Sequence, residues 1–413
     1  MKTNDYVLND LDDIPIAGWL GPAGEMIRPD VMRDMAAAGF NVSISSVEED
    51  DLVRALGVAS EAGVRLIIRT KGLDLGRKTL EEGCGYQLTQ EERERIRRIV
   101  LKVHKHPGLF GYYVHDEPWQ YDFDWIAAVI REIEAVDPYH MCYVNHNAPV
   151  DQGGYGAGTQ EALWRDFAKR TNARCLSFDH YVIERKPRDF IEALGPDAPN
   201  VFGDVVVKFD YFAVLDFARW MSVLLDLPLW AFTNSVPHWS YPPPTEGHIR
   251  FQLMCLLAYG AKGLQYFTYA HDQALIDTNG APTPTWTMAR KVNAEVRRLW
   301  KKLKTLRSIG VFHTGPLWPG TRPPMPTPMQ IWGAEHAGTL FTCKGDPAVI
   351  GLFDDTEGQM YALVVNRNPS APGVVSMREP EINDAVPWQW TTLPPGGACL
   401  FKLEGYGKAE RVL

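Results

Sequence analysis

Two adjacent carboxylates, Asp116 and Glu117, close the run HPGLFGYYVHDEP (residues 106–118), where an apolar stretch meets a proline. Carboxyl groups suit general acid–base chemistry: one donates a proton to a leaving oxygen while another, ionised, activates or becomes the nucleophile. Neighbours on an extended chain point to opposite sides. One of the two is therefore expected in a cleft, with the other anchoring the loop. Glu117 has the longer reach and is taken as the acid, and Trp119 beside it would lift its pKa by excluding water. The competing reading is that Asp116-Glu117-Pro118 only caps the next helix.

The elements that must hold such groups form an alternation. Short apolar runs at residues 14–19, 40–45, 64–69, 109–114, 140–145, 173–178, 228–233 and 263–268 are each followed by amphipathic stretches. Strands separated by helices run parallel, because a crossover helix returns the chain to the same end. Eight such units close most naturally into a (β/α)8 TIM barrel spanning residues 1–307. An open doubly wound sheet is the competitor, but no G-x-G-x-x-G follows the first run and no P-loop occurs. After residue 308 the chain turns proline-rich and then β-prone, at GTLFTC, PAVIGLF, MYALVVN, GVVSM and ACLFKL. This predicts a small C-terminal antiparallel β-sandwich over 308–413, so the fold class is α/β with an appended sandwich. Its expected role is structural, packed on the barrel, with carbohydrate binding as the alternative.

A parallel barrel gathers reactive groups at the C-terminal ends of its strands. That rule selects Trp19 and Glu25, Ser45, Ser46 and Glu48, then Arg69 and Lys71. It also selects Asp116, Glu117 and Trp119, Asn145 with His146 and Asn147, and Asp179, His180 and Tyr181. Strands seven and eight add Asn234, Ser235, His238 and Trp239, then Tyr269, His271 and Asp272. The pair His104 and His106 has metal-ligand spacing but sits at the end of a charged helix, where solvated surface explains it. A cation held by His115, His180, Asp116 and Asp179 is a minority reading, so no metal or cofactor is expected.

The chain resembles the large group of retaining barrel glycosidases whose acid/base glutamate follows strand 4. It resembles more closely the glycoside hydrolases with a D-E-P at that position. The matching pieces are GYYVHDEP (111–118), YVNHNAP (143–149), LSFDHYVI (176–183), LWAFTNSVPHW (229–239), LAYGAKGLQYFTY (257–269) and MYALVVNRN (360–368). The resemblance implies a glycosidase with Glu117 as acid. It fails at strand 7, where the group carries a nucleophilic glutamate and this chain reads Thr233-Asn234-Ser235. Glu246 comes too late and is better read as serving a helix N-terminus. Asp179 is the expected second carboxylate, with Asp116 and Asp272 in reserve. A carboxyl gap of about 5–5.5 Å would make it a nucleophile, and about 6.5–9.5 Å a base in an inverting reaction, which is slightly favoured. Trp19, Trp119, Trp230, Trp239 and Tyr269 are expected to offer apolar faces to sugar, with Asn145, His180, Tyr181 and His238 fixing hydroxyls. Two alternatives stay open: a sugar-binding barrel without catalysis, and a metal-assisted hydrolase or isomerase using the His/Asp rim.

Bulk properties bound these readings. The 413 residues are 45% hydrophobic and 23% charged, with formal net charge −9. Such a balance argues against nucleic acid or an anionic membrane as partner. No apolar run reaches the roughly 18 residues of a spanning helix, and the polar start shows no signal-peptide pattern. Six scattered cysteines lack any C-x-x-C and read as buried free thiols in a reducing compartment, with the cytoplasm as default. The oligomeric state is left unassigned.

Overall fold

The computed structural model describes residues 12–73, 86–149, 158–195, 198–316, 318, 332–333, 341–378, 388–405 and 408–413. By contacts the chain divides into two compact units, each discontinuous in sequence. The first comprises residues up to His180 with Met221–Phe232 and Gly263–Arg290; the second comprises Tyr181–Trp220, Thr233–Lys262 and Lys291–Leu413.

The first unit holds the barrel. Its strands are β1 (Ile16–Gly18), β2 (Val42–Ser46), β3 (Arg65–Arg69), β4 (Leu109–Asp116), β5 (Met141–Asn145) and β6 (Leu176–Phe178). The ring is completed by β10 (Leu229–Asn234) and β11 (Gly263–Phe267), numbered after three short strands of the second unit: β7 (Ile183–Arg185), β8 (Val201–Phe202) and β9 (Val205–Val207). The order around the sheet is β5-β4-β3-β2-β1-β11-β10-β6. His146, just past β5, makes a parallel bridge to Phe178 in β6. With the His146 N–H on the Ser177 carbonyl at 2.8 Å, that bridge closes the ring. The expected barrel is present.

Helices α1 (Pro29–Ala37), α2 (Leu52–Glu61), α3 (Gln90–Val103), α4 (Phe123–Glu134) and α5 (Gln160–Thr171) fall between these strands. Local sequence explains their ends. Pro29 occupies the first turn of α1, where its missing N–H costs nothing. Thr89 and Glu92 form a reciprocal capping box at α3. The barrel interior is filled. Trp230 is wholly buried against Phe110 and Tyr143, with ring centroids 5.9 and 6.4 Å away. Truncating such a ring to alanine costs about 3–5 kcal/mol.

In the second unit β7, β9 and β8 form a small antiparallel sheet that the sequence pattern did not announce. Helix α6 (Arg188–Leu194) lies between β7 and β8 in the chain, and α7 (Tyr211–Leu225) and α9 (Pro284–Leu303), like β10, each run across a unit boundary. Helix α8 (Glu246–Ala258) is buried from Gly247 to Ala258. The remaining strands are β12 (Arg307–His313), β13 (Trp332–Gly333), β14 (Thr342–Gly345), β15 (Ala348–Asp354), β16 (Met360–Asn366), β17 (Gly373–Arg378), β18 (Trp390–Leu393), β19 (Ala398–Gly405) and β20 (Lys408–Arg411). They build one six-stranded sheet, β13-β12-β15-β16-β19-β20, and one three-stranded sheet, β14-β17-β18. Ile350, Val364 and Phe401 from the first share a core with Val375, Met377 and Leu393 from the second. This is the predicted sandwich, antiparallel apart from the short β12–β13 pair.

Candidate active site

Strand β4 delivers its carboxylates through an irregularity. Tyr113 pairs with Tyr143, but His115 pairs with Val144 and Asp116 with Asn145, leaving Val114 as an extra residue. A bulge of this kind re-aims every side chain beyond it. His115 turns out toward α4, edge-on to Trp125 at 5.3 Å. Asp116 turns in, onto Asn145. Glu117 then takes a left-handed backbone, φ +50°, rare for a residue with a Cβ. Its N–H is tied to the Asn145 carbonyl at 2.8 Å. The expectation that one carboxylate merely anchors the loop is therefore corrected. It assumed unbroken extended chain, whereas a bulge and a left-handed residue intervene, and the Glu117 charge acts on Asp116 after burial.

Asp179, one residue past β6, joins them. The Asn145 amide nitrogen donates to Asp179 Oδ1 at 2.9 Å and to Asp116 Oδ1 at 3.3 Å. Asn145 is itself held from below: Ser177 Oγ lies 2.9 Å from its Oδ1, and Gln265 Nε2 donates to Ser177 Oγ at 2.8 Å. Tyr143 Oη contacts Ser177 Oγ at 2.8 Å and donates to Gln265 Oε1 at 2.5 Å. A polar network thus climbs through the barrel core and ends on two carboxyls.

All three carboxyls hold their protons unusually firmly. Burial lifts Asp179 to about 7, the Glu117 and Asp116 charges add to it, and the Asn145 bond opposes. Burial and the Glu117 charge lift Asp116 to about 6, against the Asn145 bond and the Arg69 charge. Burial also raises Glu117. As residues Asp116 and Glu117 are exposed, while Asp179 is half-buried. The raised values come from the protein crowded around each group and, for Asp116 and Asp179, also from neighbouring like charge. Arg69, at the end of β3, lies over the Tyr113 ring at 5.0 Å. Near neutral pH this set holds both protonated and ionised carboxyls, as acid–base catalysis requires.

The other expected residues divide. Trp119 is exposed and stacks on Tyr121, 5.9 Å apart and 20° from parallel. Trp19 is almost buried, edge-on to Tyr113 and Phe232. His180 is buried within the first unit. Tyr181, His238 and Trp239 belong to the second unit, where Tyr181 packs edge-on to His238 and Trp239 is 96% exposed. Trp230 and Tyr269 are corrections. Trp230 lies four residues below the end of β10, inside the filled barrel, and Tyr269 packs against Phe40. Neither side chain has surface to offer a sugar. Glu246 stands in the first turn of α8, the place expected for it, and is paired there with Arg250 and Lys291. His104 bonds back to helix carbonyls, and His106 Nδ1 accepts from Gly108. Among the described residues no group of three or more His, Cys, Asp or Glu is arranged to hold a metal ion. Ser177 and Gln265 were missed; their signal is a polar residue in mid-strand, at LSF and LQYF.

No family model matches this chain, and no curated protein does. It is similar to a solved GH5_18 protein from Bifidobacterium longum subsp. longum in complex with Manb1-4GlcNAc, at 11% identity and TM-score 0.47 over 68% of this chain and 78% of that one. It is similar to a beta-galactosidase from Halorubrum lacusprofundi at 12% identity and TM-score 0.45, covering 68% of this chain and 58% of that one. Xylanase 10B from Thermotoga maritima has 12% identity and TM-score 0.41, covering 71% of this chain and 97% of that one.

Proposed function

We propose that this protein hydrolyses an O-glycosidic bond, with Glu117 as general acid and Asp179 as the second carboxylate. The observation that carries the reading is the convergence of three carboxyls with raised proton affinity at the C-terminal ends of β4 and β6. Glu117 is exposed and unencumbered enough to reach a leaving oxygen. Asp179 accepts an amide N–H, which favours the ionised form a base or nucleophile needs. The stacked Trp119 and Tyr121 next to the acid suit the apolar face of a sugar ring. The reading needs no cofactor. We take residues 308–413 as a second, β-sandwich domain, a boundary favoured by β12 opening its larger sheet. Cys142, Cys175, Cys255, Cys343 and Cys399 are free thiols, which favours a reducing, cytoplasmic setting; Cys84 lies outside the described residues. No helix among the described residues is long and apolar enough to cross a membrane.

One observation favours the reverse assignment. Burial, and after it the Glu117 charge, lifts Asp179 to about 7, so this carboxyl still holds its proton near neutral pH, as a general acid must. Leaving-group dependence separates the two. An enzyme without its general acid still cleaves aryl glycosides whose leaving group departs unaided, and loses about 10²–10⁴-fold on poorer ones. With Glu117 as acid, Glu117→Gln keeps its activity on dinitrophenyl glycosides and Asp179→Asn loses it on every substrate. The opposite pattern exchanges the roles. Wild-type activity of Glu117→Gln on all substrates removes it from the reaction. A proton NMR time course of the first-formed anomer reads inversion, which we favour, or retention.

A further inference from the structure

We propose that Asn145 is the clamp of this site and that Gln265 and Ser177, deep in the barrel, are positioning residues that decide which way the clamp faces. The inference rests on the catalytic reading of Asp116 and Asp179 for its consequence, but its geometry stands separately. One amide nitrogen serves two carboxyls, one hydrogen to each. That arrangement works only if the amide oxygen points away from them.

The polar core imposes the orientation. Gln265 and Ser177 are fully buried on β11 and β6, and Asn145 is 3% exposed, so none can turn to water. Tyr143 has its proton on Gln265 Oε1, which leaves the Gln265 Nε2 end to face Ser177 Oγ. Ser177 has a single proton and two oxygens beside it, Asn145 Oδ1 at 2.9 Å and Tyr143 Oη at 2.8 Å; with Asn145 facing as it does, the proton goes to Oδ1. An Asn145 turned over would set its oxygen against two carboxylates, and would need Ser177 to swing its proton from Asn145 onto Tyr143 Oη before Oγ could receive a second N–H. Donor and acceptor inventories of the four side chains thus select one face. The clamp works against repulsion. Asp116 and Glu117 come from β4, Asp179 from the end of β6, and Arg69 from β3 is the cation acting on Asp116. The β5 and β11 members, Asn145, Tyr143 and Gln265, are neutral.

Two consequences follow. Asp116 and Asp179 are held as one unit, so their protonation is shared rather than independent. Removing a buried group that never meets substrate also moves the site's titration, because a released Asn145 presents its oxygen and favours protonated carboxyls.

The test uses Ser177→Ala and Gln265→Met in the full chain, with Ser177→Thr restoring the hydroxyl. The pH profile of kcat/KM on an aryl glycoside is expected to move alkaline by about one to two units in the first two variants, the size of one charge-assisted hydrogen bond. Ser177→Thr returns it to the wild-type position. In parallel, 13C NMR of labelled aspartate follows the Asp116 and Asp179 carboxyl carbons through pH, assigned with Asp116→Asn and Asp179→Asn; this needs folded protein but no turnover. Wild-type carboxyl titrations in both variants overturn the clamp, even if activity falls evenly at every pH. Shifted titrations in a chain that cleaves no glycoside would sustain the clamp and sink the glycosidase reading instead. Should Ser177→Ala fail to fold, Gln265→Met, which keeps side-chain volume, carries the same comparison.

Discussion

Replacing Asp179 by asparagine should stabilise the protein, and should do so only above acidic pH. The carboxyl has an ordinary value of 3.8 and is lifted to about 7 in the folded chain. The folded state therefore binds this proton more tightly than the unfolded state. No penalty exists below about pH 4; it grows with pH and is complete above about pH 7. Each unit corresponds to about 1.4 kcal/mol, so a lift of about three units sets a ceiling of about 4 kcal/mol. The realised gain is smaller. Part of the lift is repulsion from Glu117 and Asp116, which relax when the charge is removed, and the half-buried group is partly screened by water. About 2 kcal/mol is the working figure. A cooperative unit of 150–250 residues shifts by about 2–4 °C per kcal/mol, and a larger one by less, so melting should rise by about 3–6 °C at pH 8 and hardly at all at pH 4. Asparagine keeps the oxygen that accepts from Asn145, so the packing is otherwise preserved. Scanning fluorimetry of both proteins across pH 4–8 makes the measurement. A melting difference that is flat with pH, or a variant less stable at pH 8, would refute the claim that Asp179 is held against its charge.

Two further predictions concern the frame. A Cβ on Gly263 would come within 2.3 Å of the Trp230 ring, so Gly263→Ala should cost about 1–3 kcal/mol by overpacking. Urea denaturation of Gly263→Ala, Trp230→Leu and the double variant should show the two costs less than additive. Asp137 gives the opposite pH sign to Asp179. Burial raises it, but bonds from His140 at 2.7 Å and Tyr112 at 2.6 Å outweigh burial and hold it below 3.8. Asp137→Asn should therefore lose about 1–3 kcal/mol in urea at pH 7 and progressively less below pH 4.

Strand positions were readable because each barrel strand is a short apolar run walled in by helices. The runs at 64–69 and 263–268 lie within a residue of β3 and β11. Helix α3 starts at T-x-x-E, whose Thr89 and Glu92 form the capping box. The small β7–β9 sheet escaped because its strands are two or three residues long. The site was legible by residue type and not by direction. One unpaired residue at Val114 leaves no compositional mark, yet it exchanges the facing of His115 and Asp116. Trp230 and Tyr269 show the reverse failure. An aromatic near a strand end reads as rim, but at about 3.3 Å per residue Trp230 lies roughly 13 Å below the end of β10. Strand ends locate a rim to within a few residues, and whether a side chain reaches the surface there depends on a single one.

Raised proton affinity does not by itself mark a site in this protein. Asp216 on α7 is also lifted to about 7 by burial, with Arg219 opposing. No second carboxyl acts on it. Asp137 and Glu246, by contrast, hold their charge because each faces donors or cations that outweigh burial. Among the described residues, Asp116 and Asp179 combine lifted affinity with repulsion from neighbouring carboxylates, and Glu117, also lifted, adds a left-handed backbone just past a bulge. That backbone costs about 1–2 kcal/mol at Glu117, and the like charges cost more. A strand selected only to complete a barrel would run straight, pair every residue and end on neutral side chains. Both departures in β4 fall beside its two carboxyls, and Asn145 ties one of them to Asp179, which is why this strand end is the one proposed as the site.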